Sequence, residues 1–538
     1  MTVLRVAQFG GENRAANPKL LPEGLGTVST NQKPGRGDLR PWKSPSTVAT
    51  IPAGRATIYR LGRDLTDDTR YWHSWTTTVH AVRGFDLDDT TERTYYSDGT
   101  APKVINNLTL DGTDPQDNPA APKTLGVPAP ASAPSVTGSN GSATTTESYF
   151  YVYTYVNTRG EESAPSPVSS MVTRTIDGST SITGFSAPPS GTYESITLIR
   201  IYRTQSTSTS GADFFFLREI AVGTTTTTDD NRALGETIAT TTWLLPPTNL
   251  TFLKALWNGM LAGISGNGVR FCEPYVPYAW PVAYEVLPPD SKAVALGVFG
   301  QQLLVLTTGR PLLVSGSSPE SMDQQLLEVP HACVAPKSVV SMGYGVAWAA
   351  ADGLVFYGSG GAKLLTAGVM TREDWQAIVP STIVGSFHEG LYFGSYTVLG
   401  TTKAFMIDPQ NPQGMHFLSA GYPATYYDDL LDQLYVLNGT SIQKWDAGSA
   451  MTYVYRSKTF HQPHAVNFAC AEVVADSYPV TFRLYADGAL RHTQTVTSQT
   501  PFRLPSGFRA HDWQLEVEGT AAVQMVAIAS SVEELAAI

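Results

Sequence analysis

The sequence predicts an all-β fold: a β-propeller with an inserted β-sandwich, a C-terminal β-sandwich and an extended N-terminal arm. Three observations lead to this prediction. Short runs of β-branched and aromatic residues, such as Leu303–Thr307, recur between Gly, Pro, Asn, Asp and Ser. Helical periodicity is nearly absent, and the best short candidate is Thr371–Ile378 with Thr371 as its N-cap. A strand-and-turn unit also repeats along the middle of the chain.

Length and composition indicate a folded chain of several domains. Its 538 residues suggest three or four domains at ~150 residues each, and 42% hydrophobic residues are enough for a large core. Charged residues are only 15%, below the ~25% of an ordinary soluble domain, which suits a surface covered by neighbours or by copies of the same chain. The net charge of −11 argues against static nucleic-acid binding, which needs a basic footprint, but it permits a wall past which nucleic acid slides.

Residues 1–50 are predicted to form an extended arm. The stretch is rich in Gly, Pro and Asn and mostly lacks alternation of polar and apolar residues. An arm without periodicity has no core of its own, so we expect it to lie on another surface, of this chain or of a neighbour. Its expected apolar anchors are Leu20, Leu21, Leu25, Leu39 and Trp42.

An inserted sandwich is predicted at residues 118–247. It begins with a Pro/Ala-rich linker at 118–134, which should be extended and stiff, and ends at a second break, Leu245–Asn249. Between these breaks lie alternating strands at Tyr149–Val156, Ser195–Arg203 and Phe214–Val222. About 110 residues with strands and turns at this spacing fit one fibronectin III-like β-sandwich.

The propeller is predicted at residues 51–117 and 248–458. A turn, a leucine and a short apolar strand recur there, and the leucines are separated by 42 (303 − 261), 51 (354 − 303), 37 (391 − 354) and 43 (434 − 391) residues. Units of ~40–50 residues match four-stranded propeller blades. Each unit leaves an apolar face that only a neighbour can cover, which favours a closed ring. Residues 51–115 could add one blade, giving roughly six.

Residues 459–538 are predicted to form a C-terminal β domain. Asp487-Gly488 reads as a hairpin turn between two strands. The stretch Asp512–Glu518 alternates strictly. We expect Trp513, Leu515 and Val517 to face inward, and Gln514, Glu516 and Glu518 to face outward.

The search for chemical motifs predicts no catalytic, cofactor-binding or metal-binding residues, no cofactor and no enzyme. Walker, dinucleotide-binding, HExxH and nucleophile-elbow motifs are absent. Several partial matches are better explained by structural roles: the Gly-rich turn Gly263–Gly268, the surface loop His461–His464, the acidic loop Asp86–Glu92, the tripeptide Arg36–Asp38, the aromatic strand Tyr149–Tyr155, and the buried thiols Cys272, Cys333 and Cys470. The first eleven residues do not resemble a secretory signal, and no apolar run approaches the ~20 residues of a membrane helix, so no membrane insertion is expected.

Four segments carry a resemblance to one known family: the arm Pro18–Asn31 with Gly37–Pro41, and the segments Gly268–Pro281, Ala293–Val314 and Tyr455–Phe460. Together they resemble the tail nozzle proteins of short-tailed bacteriophages, also called the tail tubular protein B family. The arm, Pro18 to Asn31 followed by Gly37–Pro41, is similar to that family's opening pattern of Pro, Leu, Asn and a Gly-x-Leu-x-Pro step. Gly268–Pro281 and Ala293–Val314 resemble two successive blades of the family. Tyr455–Phe460 resembles its aromatic-basic-Ser-Lys-x-Phe step into the last domain. The chain is shorter than the larger members, and the inserted sandwich is its main elaboration.

The resemblance implies a structural virion protein. Six copies would form a ring that continues the tail tube below the portal and the head-to-tail adaptor, with tail fibres attached outside. Double-stranded DNA would leave through the lumen without specific binding, and the protein would be made in the host cytoplasm. An acidic lumen would repel phosphates and let DNA slide.

Two other functions remain open at this point. The main alternative is a receptor-binding or glycan-degrading tail protein, with the propeller face or the Tyr-rich sandwich as the binding surface. A cell-surface adhesion module is disfavoured because no export signal precedes it.

Overall fold

The computed structural model describes residues 3–61, 67–86, 89–106 and 122–536. Almost all of their regular secondary structure is β strand, as the sequence predicts. The described residues include two short α helices, Arg372–Ala377 and Val532–Ala536. The first confirms the predicted helix start, because the Thr371 hydroxyl accepts a hydrogen bond from the Asp374 backbone N–H. No helix in these ranges has the length and apolar character needed to cross a bilayer.

The middle of the described chain consists of successive antiparallel units, which we number 1 to 7. Unit 1 is a hairpin, and each later unit has four strands. The strands are: unit 1, Thr57–Arg60 and Trp72–Trp75; unit 2, His80–Arg83, Thr94–Ser97, Lys103–Ile105 and Lys123–Thr124; unit 3, Thr251–Ala255, Leu261–Ser265, Gly268–Phe271 and Glu285–Val286; unit 4, Ala293–Phe299, Gln302–Thr307, Leu312–Ser315 and Asp323–Leu326; unit 5, Val340–Ser341, Gly345–Ala350, Gly353–Gly358 and Gly361–Leu364; unit 6, Val384–His388, Leu391–Val398, Thr401–Ile407 and His416–Leu418; unit 7, Thr425–Asp428, Gln433–Asn438, Ser441–Lys444 and Ser46–Thr50. Short 3-10 turns lie at Trp257–Gly259, Pro319–Ser321, Pro336–Ser338 and Pro380–Thr382.

Each unit packs against the next, and unit 7 packs against unit 1. Hydrogen bonds and ring contacts mark these junctions. They are Thr57–Val79 (units 1 and 2), His80–Phe252 (2 and 3), Trp257–Gly316 (3 and 4), Phe299–Tyr357 (4 and 5), Ser338–Tyr392 (5 and 6), Phe387–Tyr427 (6 and 7) and Tyr59–Tyr426 (7 and 1). At the last junction Arg60 also forms a buried ion pair with Asp428, 3.4 Å apart. The apolar faces of these sheets are therefore covered by neighbouring units.

The chain leaves the seven units after Lys123–Thr124 and returns at Thr251. Its strands in between form three small sheets: Ser135–Ser139, Ser179–Thr183 and Thr226–Asp229; Thr146–Tyr149 and Val172–Thr175; and Tyr151–Asn157, Ile196–Thr204 and Phe214–Ala221. One apolar cluster joins the sheets, with Ile182 and Ile201 both fully buried. The predicted strands are thus present, and the fibronectin-like arrangement stays a prediction.

The N-terminal segment is woven into the rest of the chain. Val3–Val6 pairs with Val523–Ala529, in a sheet that also contains Cys470–Ala475 and Phe502–Arg503. Gly26–Thr30 lies between the last strand of unit 6 and Tyr453–Ser457. It thereby joins unit 6 to the C-terminal strands Ala510–Gly519, Val480–Ala486, Ala489–Val496 and Phe460–Val466 in one large sheet. Gln32–Lys33 and Arg40–Pro41 form a small hairpin.

The predicted apolar anchors of this segment pack against the rest of the same chain, with one exception. Leu21, Leu25, Leu39 and Trp42 are buried. Leu39 also forms a backbone bridge to Val523, which ties the segment to the C-terminal region. Leu20 is 79% exposed and therefore does not anchor the segment to the described part of this chain.

The C-terminal region confirms the predicted hairpin and corrects one outward-facing residue. Asp487 and Gly488 have φ values of 49° and 76°, as a two-residue turn between antiparallel strands requires. Trp513, Leu515 and Val517 are buried as predicted. The alternation predicts that Glu516 faces outward, but this residue is only 4% exposed because two arginines, Arg456 and Arg483, hold its carboxylate at 2.6 and 2.7 Å. Strand alternation alone does not reveal these cross-strand partners.

Candidate functional site

The first strands of all seven units, or the turns just before them, line one cavity. Its volume is about 230 Å³. Each unit contributes at least one residue to the wall: Thr57, His80, Phe252 with Lys254, Leu296, Lys337 with Val339, Val384 with Gly385, and Thr425. The titratable side chains of this wall are His80, Lys254 and Lys337, and the described lining includes no carboxylate. The cavity is therefore basic in a chain whose net charge is −11.

His80 is held in the wall by an aromatic contact. Its ring lies 4.0 Å from the Phe252 ring, centroid to centroid, with 33° between the planes. Burial, together with the positive charges of Lys254 and Lys337, lowers the pKa of His80 from 6.5 to about 3. The imidazole is consequently neutral at physiological pH, so the two lysines supply the charge of the cavity.

Lys254 is positioned by an irregular strand. The pairing of Thr251–Ala255 with Leu261–Ser265 shifts register between Thr251 and Lys254, and Phe252 has a φ of +52°. A left-handed backbone is unfavourable for an aromatic residue, and such bulges re-aim side chains near functional sites. Here Phe252 and Lys254 both reach the cavity. Desolvation lowers the pKa of Lys254 below its ordinary value of 10.5.

Lys337 lies in a short turn, and the next residue, Ser338, is held in place by hydrogen bonds. Pro336–Ser338 forms a 3-10 turn, and the buried Ser338 hydroxyl donates to the Ala335 carbonyl at 2.6 Å and accepts from the Ala349 N–H at 2.8 Å. The Ser338 carbonyl in turn accepts from the Tyr392 hydroxyl at 2.9 Å. Desolvation lowers the pKa of Lys337 as well. The turn backbone is thus fixed on both sides while the lysine side chain remains exposed.

A second cavity, of about 530 Å³, lies where the inserted segment meets units 2 and 3. Aromatic and charged residues line it together: Phe85, Tyr95, Tyr275, Tyr278, Asp86, Arg93, Arg159 and Glu161. Arg93 pairs with Glu161 at 3.2 Å, which bridges unit 2 and the insert. Tyr275 is 70% exposed. The charges of this cavity are therefore largely paired, unlike those of the first.

The acidic loop at Asp86–Glu92 has arginine partners. Asp89 accepts from the Thr91 and Arg93 backbone N–H groups, and the Arg93 guanidinium lies 2.7 Å from its carboxylate. These bonds hold the pKa of Asp89 well below its usual range despite desolvation. Residues 87 and 88 lie outside the described ranges. The acids seen here serve local ion pairing.

In the part of the chain that the structure describes, neither the histidine pair nor the cysteines belong to a cluster of potential metal ligands. His461 Nδ1 lies 2.6 Å from Asp512, whose other oxygen pairs with Lys19 at 2.7 Å, and His464 is exposed. The three cysteines are free and buried, as expected for structural thiols. Within the described ranges, no three or more His, Cys, Asp or Glu residues gather as a metal site would require.

The remaining partial motifs have structural positions. Gly263–Gly268 covers the turn between two strands of unit 3, where the Ser265 hydroxyl donates to Asn249 at 2.7 Å. In Arg36–Asp38, the Asp38 carboxylate pairs with Arg40. The tyrosines of Tyr149–Tyr155 are buried in the core of the inserted segment, so they offer no exposed stacking surface.

Sequence reasoning missed the basic cavity. Its two lysines stand 83 positions apart (337 − 254) on different units, and neither belongs to a recognised motif. The available signals were weak: a lysine inside an apolar strand start, Phe252-Leu-Lys254, and a Pro-Lys-Ser turn. Only the arrangement of the units brings these residues to one cavity.

Comparison with known proteins gives little further information. No protein-family model matches the sequence, and no curated protein matches it. Solved structures that align with the chain include the AfRom2 CNH domain, with 8% identity over 60% of this chain and 90% of that chain and a TM-score of 0.26. PorZ of Porphyromonas gingivalis aligns with 8% identity over 84% and 77% and a TM-score of 0.25. AztD of Citrobacter koseri aligns with 12% identity over 70% and 99% and a TM-score of 0.25. TM-scores this low support no inference about function.

Proposed function

We propose that this chain is a structural subunit of a bacteriophage tail nozzle. In this proposal six copies form a ring that extends the tail tube. The ring contacts the head-to-tail adaptor and the tail fibres, and double-stranded DNA passes through its lumen without specific binding. The sequence resemblance supplies the family. The observation that carries the proposal is the course of residues 3–50, which add strands to three separate sheets of the subunit.

The proposed fold of the subunit is a β-propeller. The seven units follow one another in contact, and their first strands or preceding turns surround one cavity. Unit 7 takes its fourth strand, Ser46–Thr50, from the N-terminal segment, which would join the two ends of a ring without leaving that edge unpaired. This arrangement supports a propeller of seven units, with the inserted sandwich after unit 2 and a C-terminal sandwich tied to unit 6.

Two of the four segments that resemble the nozzle family, the N-terminal arm and Tyr455–Phe460, contact each other in the subunit. The Tyr455 hydroxyl donates to the Gly24 carbonyl at 2.8 Å, and the Lys458 ammonium donates to the Leu21 carbonyl at 2.9 Å. The step at Tyr455–Phe460 therefore holds the N-terminal segment against the C-terminal region. Residues at such junctions suit a protein whose role is assembly, because they fix the relative positions of its parts.

Electron-microscope class averages of the purified full-length chain test the proposal. We expect annular particles with six-fold symmetry and binding of the chain to purified tails that lack it. A monomer at micromolar concentration that does not associate with such tails would overturn the proposal.

A receptor-binding or glycan-degrading tail protein is the second candidate, and one observation favours it. The 530 Å³ cavity combines an exposed aromatic ring, Tyr275, with arginine and carboxylate side chains, a combination suited to sugar rings and their hydroxyl groups. The buried tyrosines of the insert do not contribute. A glycan array together with an assay for sugars released from host polysaccharide tests this candidate, and the absence of binding and of release would remove it.

A further inference from the structure

The two lysines of the central cavity lack acidic partners in the described part of the chain. Other lysines find them: Lys33 pairs with Glu389 and Asp446, and Lys103 with Asp98. Lys254 and Lys337 make no ion pair among the described residues, although they are close enough for both to lower the pKa of His80. Like charges in a partly desolvated site repel each other, so their joint presence is unfavourable unless an anion joins them.

Both lysines sit on backbone that the fold specifies closely. Lys254 follows the strained Phe252, and Lys337 lies in a turn held by Ser338. The hydroxyl-bearing residues Thr78 and Thr425 also line the cavity. Ammonium and hydroxyl groups are donors, and a site that combines them complements an oxygen-rich anion.

We propose that this cavity binds a small oxyanion, of the class of inorganic phosphate or sulfate, between the ammonium groups of Lys254 and Lys337. Thr78 and Thr425 contribute further donors. The neutral His80, packed on Phe252, forms part of the wall.

The size of the cavity favours a small ion over a larger ligand. Its 230 Å³ lies below the ~300–1,000 Å³ of sites for drug-sized molecules. A tetrahedral oxyanion with part of its hydration shell fits such a space. The proposal depends on the cavity of one subunit, and so it stands or falls separately from the proposed six-fold ring.

Calorimetric titration of the full-length chain with inorganic phosphate at low ionic strength tests the site directly. We expect saturable binding of one phosphate per chain. The variants Lys254→Met and Lys337→Met should each weaken it about tenfold or more, the value of one lost charge-assisted hydrogen bond. Lys363→Met is the matched control, because Lys363 is an exposed lysine on the outer strand of unit 5. Absence of saturable binding, or equal weakening in all three variants, would overturn the proposal.

Thermal unfolding provides a second readout that does not need a measurable heat of binding. Millimolar phosphate should raise the Tm of the wild-type chain more than sodium chloride at equal ionic strength, because a ligand that binds only the folded state stabilises it. Without phosphate, Lys254→Met should raise the Tm, since it removes a repelling charge. Lys337→Met changes an exposed side chain and keeps the fold testable if Lys254→Met does not fold. An equal phosphate-induced rise in wild type and Lys337→Met would contradict the proposed site.

Discussion

Ala49 pairs with Ile442 across two strands that are almost 400 residues apart in the sequence. Both side chains are buried, in a cluster that also contains Ile58 and Trp72 of unit 1. The strand Ser46–Thr50 therefore completes unit 7 and lies close to unit 1 at the same time. In the proposed propeller, this strand is the closure of the ring.

A carboxylate on the buried side of the strand Ser46–Thr50 should destabilise units 7 and 1. We expect Ala49→Asp to lower the free energy of unfolding by about 3 kcal/mol or more, because it buries an unpaired carboxylate. Hydrogen exchange of Gln433–Asn438 should then become faster. Ser46→Asp is the control, since Ser46 is exposed and lies opposite Lys444. Unchanged exchange in Ala49→Asp would show that the strand is not needed for closure.

The all-β character of the chain followed from the sequence because strand periodicity and turns are local signals, but the unit boundaries did not. Leu261, Leu303, Leu391 and Leu434 each lie on the second strand of a unit, whereas Leu354 lies on the third strand of unit 5. Because of that difference, the spacing from Leu303 to Leu354 is long, at 51 residues, and the spacing from Leu354 to Leu391 is short, at 37 residues. The described part of residues 51–115, expected as one blade, contributes strands to both unit 1 and unit 2, because Thr57–Arg60 and Trp72–Trp75 pair only with each other. Pairing between distant strands decides such boundaries, and local patterns do not contain it.

Asp229 in the inserted segment compensates two buried arginines. Its carboxylate lies 2.6 Å from Arg203 and 3.4 Å from Arg174, and it accepts a hydrogen bond from the Tyr151 hydroxyl at 2.8 Å. All of these groups are buried or nearly so. We expect Asp229→Asn to cost about 3–5 kcal/mol, because it leaves two guanidinium groups without their countercharge. Hydrogen exchange over Tyr151–Asn157 in the full chain should reveal local opening.

The neighbouring Asp230 offers a matched control. It pairs with Arg218 at 3.2 Å, but its side chain is 65% exposed. Surface pairs of this kind contribute about 0–1 kcal/mol, so Asp230→Asn should leave exchange in the insert nearly unchanged. Equal effects of the two substitutions would mean that the buried network does not determine the stability of the insert.

His80 should make the chain less stable as the pH falls. Its pKa is about 3 in the folded state against 6.5 for an unperturbed histidine, so the unfolded chain binds more protons between these values. The free energy of unfolding therefore decreases as the pH falls from about 6.5 towards 3, by at most about 1.4 kcal/mol per pH unit from this residue. Lys254 and Lys337 are the charged groups that face His80 in the cavity, and their positive charges contribute to the lowering of its pKa.

Urea unfolding at pH 7 and pH 5 in phosphate-free buffer measures this dependence. We expect His80→Phe to reduce the loss of stability between the two pH values. His416, whose pKa is lowered to about 4 by burial in unit 6, would retain its own contribution in that variant. The same pH dependence in His80→Phe and wild type would contradict the assignment to His80.

The two cavities differ in how far sequence could anticipate them. Phe85, Arg93 and Tyr95 of the larger cavity lie just outside the acidic loop Asp86–Glu92, for which the sequence predicts only a structural role. The lysines of the smaller cavity occur in ordinary strand and turn contexts. These lysines are of interest because neither forms an ion pair with any residue that the structure describes. Whether a lysine finds such a partner on another unit depends on the tertiary structure and is not visible in the sequence.

One outer edge of unit 3 is a candidate contact between subunits of the proposed ring. Val282 and Leu287 are 63% and 56% exposed, and they lie on either side of the two-residue edge strand Glu285–Val286 in the sequence. Exposed apolar side chains beside a sheet edge are characteristic of interaction surfaces. If six copies assemble through this edge, the double variant Val282→Asp with Leu287→Asp should reduce the fraction of hexamer about tenfold or more, since two carboxylates would be desolvated at each contact. Leu399→Asp is the control, because Leu399 is a fully exposed leucine at a hairpin tip of unit 6.

Native mass spectrometry measures the hexamer fraction, and circular dichroism verifies that both variants remain folded. Hexamer formation by the folded double variant at the wild-type level would exclude this edge from the interface.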